Sequence, residues 1–500
     1  FLHDLEKDPD QLVNHATDSK FARQLTAMRT RCDELRDKHG GEYSREKFPL
    51  REDRRQSQRE ARPRQSARAL GSDRPNVILI ISDDQTWTDF GFMGHPVIKT
   101  PSLDTLARES ATFLRGYVPT ALCRPSLATM ITGLYPRQHR ITGNDPSPPK
   151  GLGRAELRDD PGFRQQRAKL ISNIDRVATI PKLLAEQGYL SHQSGKWWEG
   201  NYSRGGFTHG MTHGDPDRGG RHGDEGLKIG RQGLKPIFDF IDEAGEKPYF
   251  IWYAPFLPHT PHNPPERLLS KYQQEGRPIQ LARYYAMCEW FDETCGQLLD
   301  YVDKKGQRDN TLVIFVTDNG WIQRTPQTSV PEGWRSSFAP KSKQSPFDGG
   351  TRTPIMVRWP GKVRPGLRQQ LASSIDIAPT VLRACGLEAP KQMEGLDLVD
   401  LSSGRGPERS RLFGESYAHD IADLDDPRKT LLYRWCIEDN WKLLVTYDGT
   451  IGRYTAVHPQ TSSSPLLFDL LADPHETVDL SGAHPDVVKQ LQGQLDAQWK

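Results

Sequence analysis

The chain has 500 residues, of which 35% are hydrophobic and 26% are charged, and its 67 basic side chains nearly balance 65 acidic ones. This composition predicts a globular protein with a sizeable core, and the net charge of +2 excludes a chain-wide attraction to nucleic acid or to an anionic membrane. No apolar run reaches the roughly 18 residues of a membrane-spanning helix, and no signal peptide is recognisable in a chain that begins with Phe1. We therefore expect neither a nucleic-acid partner nor a membrane span.

Residues 2–35 resemble residues 467–499 near the other end of the chain. The shared positions are Leu2, Asp4, Leu5, Asp8 and Pro9 in the first segment and Leu467, Asp469, Leu470, Asp473 and Pro474 in the second. Each segment is predicted to be a short strand, an Asp-Pro turn and an amphipathic helix. We interpret residues 1–43 as an appended copy of the C-terminal tail, produced by a tandem protein or by a fusion of two reading frames. Chance similarity is the alternative.

Residues 44–74 separate the appended segment from the rest of the chain. Between residues 45 and 74 there are nine arginines and one lysine against five acids, with almost no apolar side chains. Such a composition cannot form a core, so we predict a disordered linker. A polyanion-binding arm is the alternative interpretation.

An α/β pattern begins at residue 76. Three apolar runs are typical of buried parallel strands, namely 76–82, 248–256 and 311–317. Three further segments are predicted helices, namely 101–114, 179–188 and 377–386. Strands that alternate with helices predict a largely parallel sheet covered on both faces.

The six cysteines show no close-paired metal spacing; they are Cys32, Cys123, Cys288, Cys295, Cys385 and Cys436. Cys288 and Cys295 are seven residues apart, which is about 10 Å of rise along a helix. That separation is too large for an unstrained disulfide. We predict that most of the six are reduced residues of the core.

Polar or metal-competent side chains follow four of the predicted strands. They are Asp83 and Asp84, Asp318 and Asn319, His259 and His262, and Lys196. Because ligands of open α/β sheets bind beyond the carboxyl ends of the strands, we expect these side chains to converge on one pocket. The Asp and Asn oxygens are hard ligands, which suit Ca²⁺ or Mg²⁺ better than zinc. A strand-end turn is the alternative for Asp83 and Asp84 taken alone.

Cys123 is followed by Arg124, Pro125 and a helical run, so the sequence predicts a helix N-terminus with Pro125 at a first helical position. The free N–H groups and the dipole at such an end favour anions and lower the pKa of a thiol. Together with a divalent cation, Lys196, His259 and a further lysine, this helix end would make a site for an oxyanion ester.

These residues resemble the type I, formylglycine-dependent sulfatases of the alkaline-phosphatase-like superfamily, over roughly residues 75–500. The motifs that carry the resemblance are NVILIISDDQ, TPSLDTLARESATF, CRPSLATMITGLYP, GYLSHQSGKWW, PHTPHNPP, TDNG, KQSPFDGGTRTPIMVRWPG, SSIDIAPTVL and LFDLLADPHE. The resemblance implies an α/β catalytic domain over residues 75–385, with a mixed but mostly parallel sheet flanked by helices. It also implies a smaller C-terminal α+β subdomain, residues 386–500, with a short antiparallel sheet and a final helix.

The resemblance implies a sulfuric ester hydrolase, similar to an arylsulfatase, that acts on a sulfated carbohydrate or a small aryl sulfate. In this family a formylglycine-generating maturase oxidises the cysteine, here Cys123, and the hydrated aldehyde is the nucleophile. Ca²⁺, preferred over Mg²⁺, would be held by Asp83, Asp84, Asp318 and Asn319 and would also orient the formylglycine. The resemblance also implies export to the periplasm or the cell exterior.

The catalytic roles carry over by position. Lys196 and Lys343 would hold sulfate oxygens; Lys343 is identified because it stands five residues before the acid of the acid-Gly-Gly turn. His259 would protonate the leaving alcohol, and Asp318 is also a candidate to activate the attacking hydroxyl. Further substrate contacts are assigned to Arg124, Trp198 and His262, and His262 is expected to support the site or face the substrate rather than bind the metal.

Two positions depart from the family pattern. The arginine expected four residues after the cysteine is Leu127, and the histidine expected in GKWH is Trp198. Leu127 would present an apolar surface to the nucleophile at helical spacing, and Trp198 can donate one N–H but cannot shuttle a proton. Arg124 lies elsewhere around the helix, so we expect it to face solvent or a substrate group. Both departures bear on maturation of Cys123 or on the rate.

Three alternative functions stay open. The same scaffold could hydrolyse phosphonates or phosphodiesters, or Cys123 could act as a thiolate in a phosphatase, although a divalent cation beside the thiol disfavours that chemistry. The protein could also bind sulfated glycans without catalysis, which Leu127 and Trp198 favour and the intact lysines and metal ligands oppose. Residues 204–232, rich in Gly, Arg, His and Asp, are either a rim that selects an anionic sugar or a solvated insertion.

Overall fold

The computed structural model describes residues 19–38, 74–149, 151–152, 154–214, 220–321, 324–328, 341–446 and 464–499. The chain divides into two compact units between Asp73 and Arg74. In the first unit the described residues form a 3-10 turn, Ser19–Phe21, and a helix, Ala22–Lys38. This helix falls where the N-terminal copy predicts one. The strand and turn of that copy, and the linker up to residue 73, lie outside the described residues.

The second unit is built on an eight-stranded sheet. In chain order its strands are β1 Asn76–Ser82, β2 Ala111–Tyr117, β3 Leu190–Gly195, β4 His209–Gly210, β5 Tyr249–Ala254, β6 Thr311–Thr317, β7 Arg352–Arg358 and β8 Gly366–Ser373. Their spatial order is β4-β3-β5-β1-β6-β7-β2-β8. Seven of these strands run parallel, and β7 runs antiparallel to both of its neighbours. The prediction of a mixed, mostly parallel sheet is confirmed.

The central strands are apolar on both faces, as a sheet covered on two sides requires. In β1, Val77, Leu79 and Ile81 face one core cluster, and Ile78 and Ile80 face the other. Each of these side chains is at most 1% exposed. Burial of one such side chain contributes about 1.5–3 kcal/mol, so this strand is among the most firmly held parts of the fold.

Helices cover both faces of the sheet. One core cluster includes residues of Cys123–Thr132, Ile180–Ala185, Ile377–Ala384 and Leu398–Ser402, and the other includes residues of Pro101–Glu109, Lys235–Ala244 and Ile279–Lys304. Shorter helices are Pro136–His139, Arg154–Leu157, Pro161–Ile171, Glu266–Tyr272 and Asp348–Thr351. In the described residues no helix is both long and apolar enough to cross a membrane.

The predicted helix 101–114 is wrong in its last turn. The helix ends at Glu109, and β2 begins at Ala111. Residues of β2 pair with β7 on one side and with β8 on the other, so tertiary pairing decides the conformation of this stretch. The other predicted helices and strands agree with the structure to within a few residues.

A smaller sheet forms most of the C-terminal subdomain. Its strands are β9 Arg411–Tyr417, β10 Leu431–Glu438, β11 Trp441–Thr446 and β12 Leu466–Asp469, paired antiparallel in that order. The final helix, Pro485–Gln498, packs Leu491 and Leu495 against Cys436, Leu443 and Leu467 of this sheet. The antiparallel sheet and final helix predicted for this part of the chain are confirmed.

The cysteines of the described side chains are unbridged and buried, namely Cys123, Cys288, Cys295, Cys385 and Cys436. Cys288 and Cys295 lie on one helix, Ile279–Lys304. The prediction of reduced core cysteines is therefore confirmed for these five. The side chain of Cys32 lies outside the described part.

Candidate active site

Four adjacent strands deliver the predicted site residues to one edge of the sheet. Lys196 follows β3, Asp83 and Asp84 follow β1, and Asp318 and Asn319 follow β6. The ends of these strands are level, because Ser82 pairs with Thr317 and Gly195 pairs with Ala254. His259 lies five residues beyond β5, which runs between β3 and β1. The expected convergence at the carboxyl ends of the strands is therefore present.

Lys343 reaches the same edge by a different route. It lies before β7, and β7 runs antiparallel to its neighbours, so the beginning of β7 lies where the other strands end. The side chain of Lys343 is buried, and its Nζ donates to Asp84 Oδ2 at 2.7 Å. We name residues 341–350 the Lys343 loop.

Asp84 is at the centre of the site. Its Oδ1 accepts a hydrogen bond from Asn319 Nδ2 at 2.6 Å, and its Oδ2 accepts from Lys343 and lies 3.1 Å from His259 Nε2. Its own backbone N–H donates to Asp318 Oδ1 at 2.9 Å. The backbone of Asp84 has a positive φ of 62°, a conformation that aspartate tolerates better than most residues.

Three buried oxygens at the site have no hydrogen-bond partner within the described part of the chain. They are Asp83 Oδ2, Asp318 Oδ2 and Asn319 Oδ1. An unsatisfied buried oxygen is costly unless a cation or water completes its coordination. These are hard ligands, the type that Ca²⁺ and Mg²⁺ take. The residues present therefore fit a divalent cation, and Asp83, Asp84, Asp318 and Asn319 are the residues that would hold it.

Cys123 belongs to the same group of side chains. Ligand atoms of Asp83, Asp84, Cys123 and His259 all lie within 4.8 Å of one another. The Cys123 thiol is 3.8 Å from Asp84 Oδ1. The thiol therefore feels the negative charge of the Asp84 carboxylate and the positive charges of Lys196 and Lys343.

The helix that carries Cys123 begins at that residue. The helix is Cys123–Thr132, so Pro125 is its third residue rather than its first, still within the turn whose N–H groups lack helical partners. The expected lowering of the thiol pKa is wrong for the cysteine itself. Burial raises the pKa of Cys123 to about 12, and Lys196 and Lys343 only partly oppose this effect. A free thiolate at this position is therefore disfavoured.

The lysines and carboxylates of the site shift each other's pKa values. Lys196 Nζ donates to Asp83 Oδ1 at 2.6 Å. Burial acts to lower the pKa of Lys196 and of Lys343, but the neighbouring aspartates outweigh it and raise both pKa values. Burial raises the pKa of Asp83 and of Asp318, whereas Lys343, His259 and Lys196 outweigh burial at Asp84 and lower its pKa. Both lysines are therefore cationic at neutral pH.

His259 is oriented by its backbone neighbour. Its Nδ1 donates to the Thr260 carbonyl at 2.7 Å, which leaves Nε2 facing Asp84 Oδ2. Burial lowers the pKa of His259, and the Asp84 carboxylate opposes that effect. The ring stacks on Phe256 at 4.3 Å between centroids. Its Nε2 is therefore the atom through which the ring can exchange a proton.

Arg231 holds the backbone around His259, a role that no sequence pattern predicted. Its guanidinium donates to the carbonyls of Phe256 at 2.9 Å, His259 at 2.8 Å and Pro261 at 3.2 Å. It also donates to Asn263 Oδ1 at 2.5 Å. One side chain thereby fixes a loop of eight residues that carries His259.

Arg124 is buried rather than exposed, so the expectation that it faces solvent is wrong. Its Nε and Nη2 donate to the two oxygens of Glu199 at 2.8 and 2.7 Å, and its Nη1 donates to the Asn144 carbonyl at 3.0 Å. Both side chains of the ion pair are at most 4% exposed. A substrate could reach this guanidinium only by displacing Glu199, a partner that the sequence analysis did not identify.

The two departures from the family pattern lie in the wall beside Cys123. Leu127 and Trp198 are each 4% exposed and belong to the same apolar cluster as Cys123. The Trp198 indole N–H has no hydrogen-bond partner in the described residues, and its ring lies 4.6 Å from the Arg221 guanidinium. Where the family pattern has an arginine and a histidine, this wall is apolar.

His262 lies beside the site without joining the group of potential ligand atoms. Its ring is 5.5 Å from Trp321 and 5.5 Å from Tyr284, and burial lowers its pKa to about 4. Trp321 also lies 5.8 Å from the His259 ring and 5.7 Å from Lys343 Nζ. Trp321 is thus a further wall residue, and its position directly after the TDNG motif was the available signal.

The segment 204–232 is partly ordered against the sheet. It contains β4 at the sheet edge and a 3-10 helix, Asp224–Lys228, while residues 215–219 lie outside the described part. Arg221 pairs with Asp145 and covers Trp198. This segment therefore reaches the wall of the site, and its selection of an anionic sugar stays a prediction.

A mixed, mostly parallel sheet with acids and lysines at its strand ends is the arrangement that the resemblance to the alkaline-phosphatase-like superfamily implies. The model of the sulfatase family matches residues 75–387, more than half of the chain, and that of the C-terminal part of N-sulphoglucosamine sulphohydrolase matches residues 342–500. The chain belongs to the sulfatase family and is a sulfuric ester hydrolase.

Known relatives resemble most of the chain. Human arylsulfatase A is 28% identical over 85% of this chain and 88% of its own length. Human N-acetylgalactosamine-6-sulfatase is 28% identical over 83% of each chain. A structure solved with its substrate, D-glucosamine-2-N,6-O-disulfate, superimposes with a TM-score of 0.62 at 19% identity, over 85% of this chain and 97% of that chain.

Proposed function

We propose that this enzyme hydrolyses sulfate monoesters of a sulfated carbohydrate, with a formylglycine derived from Cys123 and with Ca²⁺. The observation that carries the proposal is the buried group at the sheet edge. Three carboxylates, one amide oxygen and two lysines surround Cys123 at the start of a helix. Together with a divalent cation, such a group can neutralise a monoanionic sulfate ester and position it against one nucleophile.

A formylglycine and a cation would supply the chemistry that the side chains lack. A formylglycine at residue 123 would offer a hydrated aldehyde as nucleophile, and Ca²⁺ would offer positive charge to sulfate oxygens. Asp83, Asp84, Asp318 and Asn319 would hold the cation, and three of their oxygens lack other partners among the described residues. Asp318 is also the candidate base for the attacking hydroxyl.

Lys196 and Lys343 would bind the sulfate oxygens. Both are buried, and their raised pKa values keep them charged. A cation in a site that excludes water stabilises developing negative charge far more than an exposed one does. The two lysines contact different aspartates, Asp83 and Asp84, so they would approach the sulfate from two directions.

His259 would donate a proton from Nε2 to the leaving alcohol in its imidazolium form, because Nδ1 keeps its own proton in the hydrogen bond to Thr260. The Asp84 carboxylate favours that form. The Nδ1 hydrogen bond to Thr260 and the Arg231 contacts hold the ring in place. Without that proton the leaving group would depart as an alkoxide, and a sugar alkoxide is a poor leaving group because it is strongly basic. General acid catalysis of this kind contributes typically 10²- to 10⁴-fold.

The proposal of a sulfated-carbohydrate substrate is based on the relatives rather than on the geometry of the site. One relative is an N-acetylgalactosamine-6-sulfatase, and one structural neighbour was solved with a sulfated glucosamine. One arginine of the 204–232 segment, Arg221, would meet anionic groups of such a substrate at the rim. We further propose that a formylglycine-generating maturase modifies Cys123 and that the protein is exported, as the family resemblance implies.

A second candidate function is the binding of sulfated glycans without catalysis. The apolar wall of Leu127 and Trp198 favours it, because it removes charged groups that the family places next to the nucleophile. Retention of the lysines and of the oxygen ligands favours the enzyme. The two candidates differ in the chemical state of residue 123.

Peptide mass spectrometry on the tryptic fragment 116–137 tests the proposal, with protein made alongside a maturase. We expect an aldehyde at residue 123 and turnover of aryl sulfates that exceeds turnover of phosphonate monoesters and phosphodiesters. Unmodified Cys123 together with tight sulfated-glycan binding and no turnover would overturn the proposal in favour of the second candidate. Preferred turnover of phosphonate esters would place the enzyme in the phosphonate hydrolase class.

A further inference from the structure

We propose that three buried charged residues, Asp348, Lys442 and Glu476, position Lys343 for sulfate binding, so that the C-terminal subdomain is part of the catalytic machinery. We name these three residues the charge cluster. They are positioning residues, because they act through the Lys343 loop. The inference rests on the role proposed above for Lys343 and goes beyond it by assigning a function to the tail motif DPHE.

The charge cluster is closed by short contacts. Lys442 Nζ lies 2.9 Å from Asp348 Oδ1 and 2.9 Å from Glu476 Oε1. The other Glu476 oxygen accepts from the backbone N–H of Asp348 at 2.5 Å. Asp348 Oδ2 accepts from the Tyr117 hydroxyl at 3.1 Å. The three charged side chains are at most 1% exposed.

The members of the charge cluster come from three separate parts of the chain. Asp348 begins the short helix Asp348–Thr351, five residues after Lys343. Lys442 lies on β11, and Glu476 lies in the tail after β12. Lys341, at the start of the Lys343 loop, also donates to the Glu476 carbonyl. The Lys343 loop is therefore fastened at both ends by residues of the C-terminal subdomain.

The opposite side of the Lys343 loop is fastened to the metal-ligand segments. Thr86 Oγ1 donates to the Gly349 carbonyl at 2.8 Å, and the Gly320 N–H donates to the Gly350 carbonyl at 3.0 Å. A Cβ atom at Gly320 would lie only 1.8 Å from the Gly349 oxygen. The loop thus connects the charge cluster to the segments that follow β1 and β6.

Backbone strain is concentrated in the same places. Among the described residues, seven that are not glycine have a positive φ, and Asp84, Lys341, Gln344 and Glu476 are four of them. Such conformations persist only where surrounding contacts enforce them. For Glu476 the charge cluster supplies those contacts, Lys341 donates to the Glu476 carbonyl, and the N–H of Gln344 donates to the Ala121 carbonyl at 2.7 Å.

Charged groups are an expensive way to stabilise a core. Well-packed apolar side chains of similar volume are often as stabilising as a buried ion pair, or more so. Charged groups instead fix the position and orientation of the segments that carry them, because hydrogen bonds between carboxylates and an ammonium group tolerate little displacement. A displacement of about 1 Å in a positioning group can cost about 100-fold in rate. The charge cluster is therefore better explained by the placement of Lys343 than by stability.

Steady-state kinetics of three variants test the inference. Glu476→Gln keeps the volume but removes the charge, and we expect kcat/KM for an aryl sulfate to fall about 10- to 100-fold. Inhibition by inorganic sulfate should weaken in parallel. The matched control is Glu289→Gln, a buried glutamate that pairs with Lys271 and Tyr272. The control should lose thermal stability while it keeps kcat and sulfate inhibition.

Tyr117→Phe removes only one hydroxyl donor and serves if Glu476→Gln fails to fold. We expect it to lower kcat/KM about 2- to 5-fold. Wild-type kcat and sulfate inhibition in folded Glu476→Gln or in Tyr117→Phe would overturn the inference. Lys343→Ala, measured in the same assay, separates the two levels of the proposal. If it retains full activity, the proposed role of Lys343 fails, whereas an inactive Lys343→Ala beside an unaffected Glu476→Gln refutes the charge cluster alone.

Discussion

The two halves of the active site are built by different means. The oxygen ligands come directly after the ends of β1 and β6. Parallel pairing over seven residue pairs sets these two ends side by side. Lys343 instead lies in a loop whose position depends on side chains from β11 and from the C-terminal tail. The sheet alone places the first half, whereas ion pairs between segments far apart in the chain place the second. A perturbation should therefore act most strongly on the half in which it falls.

The largest expected effect comes from removal of the divalent cation. Chelation should lower turnover by at least about 100-fold, because the carboxylates would then repel the anionic sulfate ester without a compensating charge. Added Ca²⁺ should restore the activity more fully than Mg²⁺ does, and this is measured by aryl sulfate turnover during metal titration. Full activity after exhaustive chelation would contradict the assignment of the oxygen ligands. Asp318→Asn should weaken Ca²⁺ binding far more than Glu476→Gln does, which sharpens the contrast between the halves.

A smaller effect is expected at the loop that carries His259. Arg231→Lys cannot reach three carbonyl groups with one ammonium, so the loop should loosen and kcat should fall about tenfold. Calcium affinity should not change, because Arg231 contacts the carbonyls of residues 256, 259 and 261. The check compares kcat and calcium titrations of Arg231→Lys with those of Lys228→Ala, an exposed lysine nearby. Equal kcat values for the two variants would show that Arg231 does not position His259.

The smallest effect on turnover is expected for Glu199→Gln. This change leaves the Arg124 guanidinium, whose side chain is 0% exposed, without a counter-charge. We expect about 3–5 kcal/mol of lost stability, with less than about threefold change in kcat below the unfolding temperature. Thermal unfolding and kcat should be measured on the same preparation. A loss of kcat without a loss of stability would mean that Arg124 acts on the substrate after all.

Sequence patterns predicted the first half of the site better than the second. Apolar runs followed by Asp83 and Asp318 are local signals, so their convergence could be inferred from the rule for strand ends in parallel sheets. The structure brings together the predicted ligands, both lysines and His259, and the roles of these residues stay predictions. Lys343 was found through the resemblance. It reaches the site because β7 runs antiparallel to its neighbours, and no local pattern in the Lys343 loop predicts that direction.

The features that the sequence did not predict all depend on tertiary contacts. Arg124 and Glu199 are 75 positions apart, and no spacing rule connects them. Arg231 donates to backbone carbonyls, which every residue has, so no residue type in the sequence marks its partners. The end of the helix at Glu109 was missed because pairing of β2 with two strands outweighs the helical pattern. In each case the decisive partner lies far away in the chain.

The close approach of Gly320 and Gly349 couples the two halves of the site mechanically. Because the backbone oxygen of one residue fills the space where the other would carry a Cβ, neither segment can shift without pushing its neighbour. Binding of a cation by Asp318 and Asn319 would then be transmitted to Lys343 as a rigid displacement. In such an arrangement metal occupancy and sulfate affinity would rise and fall together, and the enzyme would not hold its substrate before its cation.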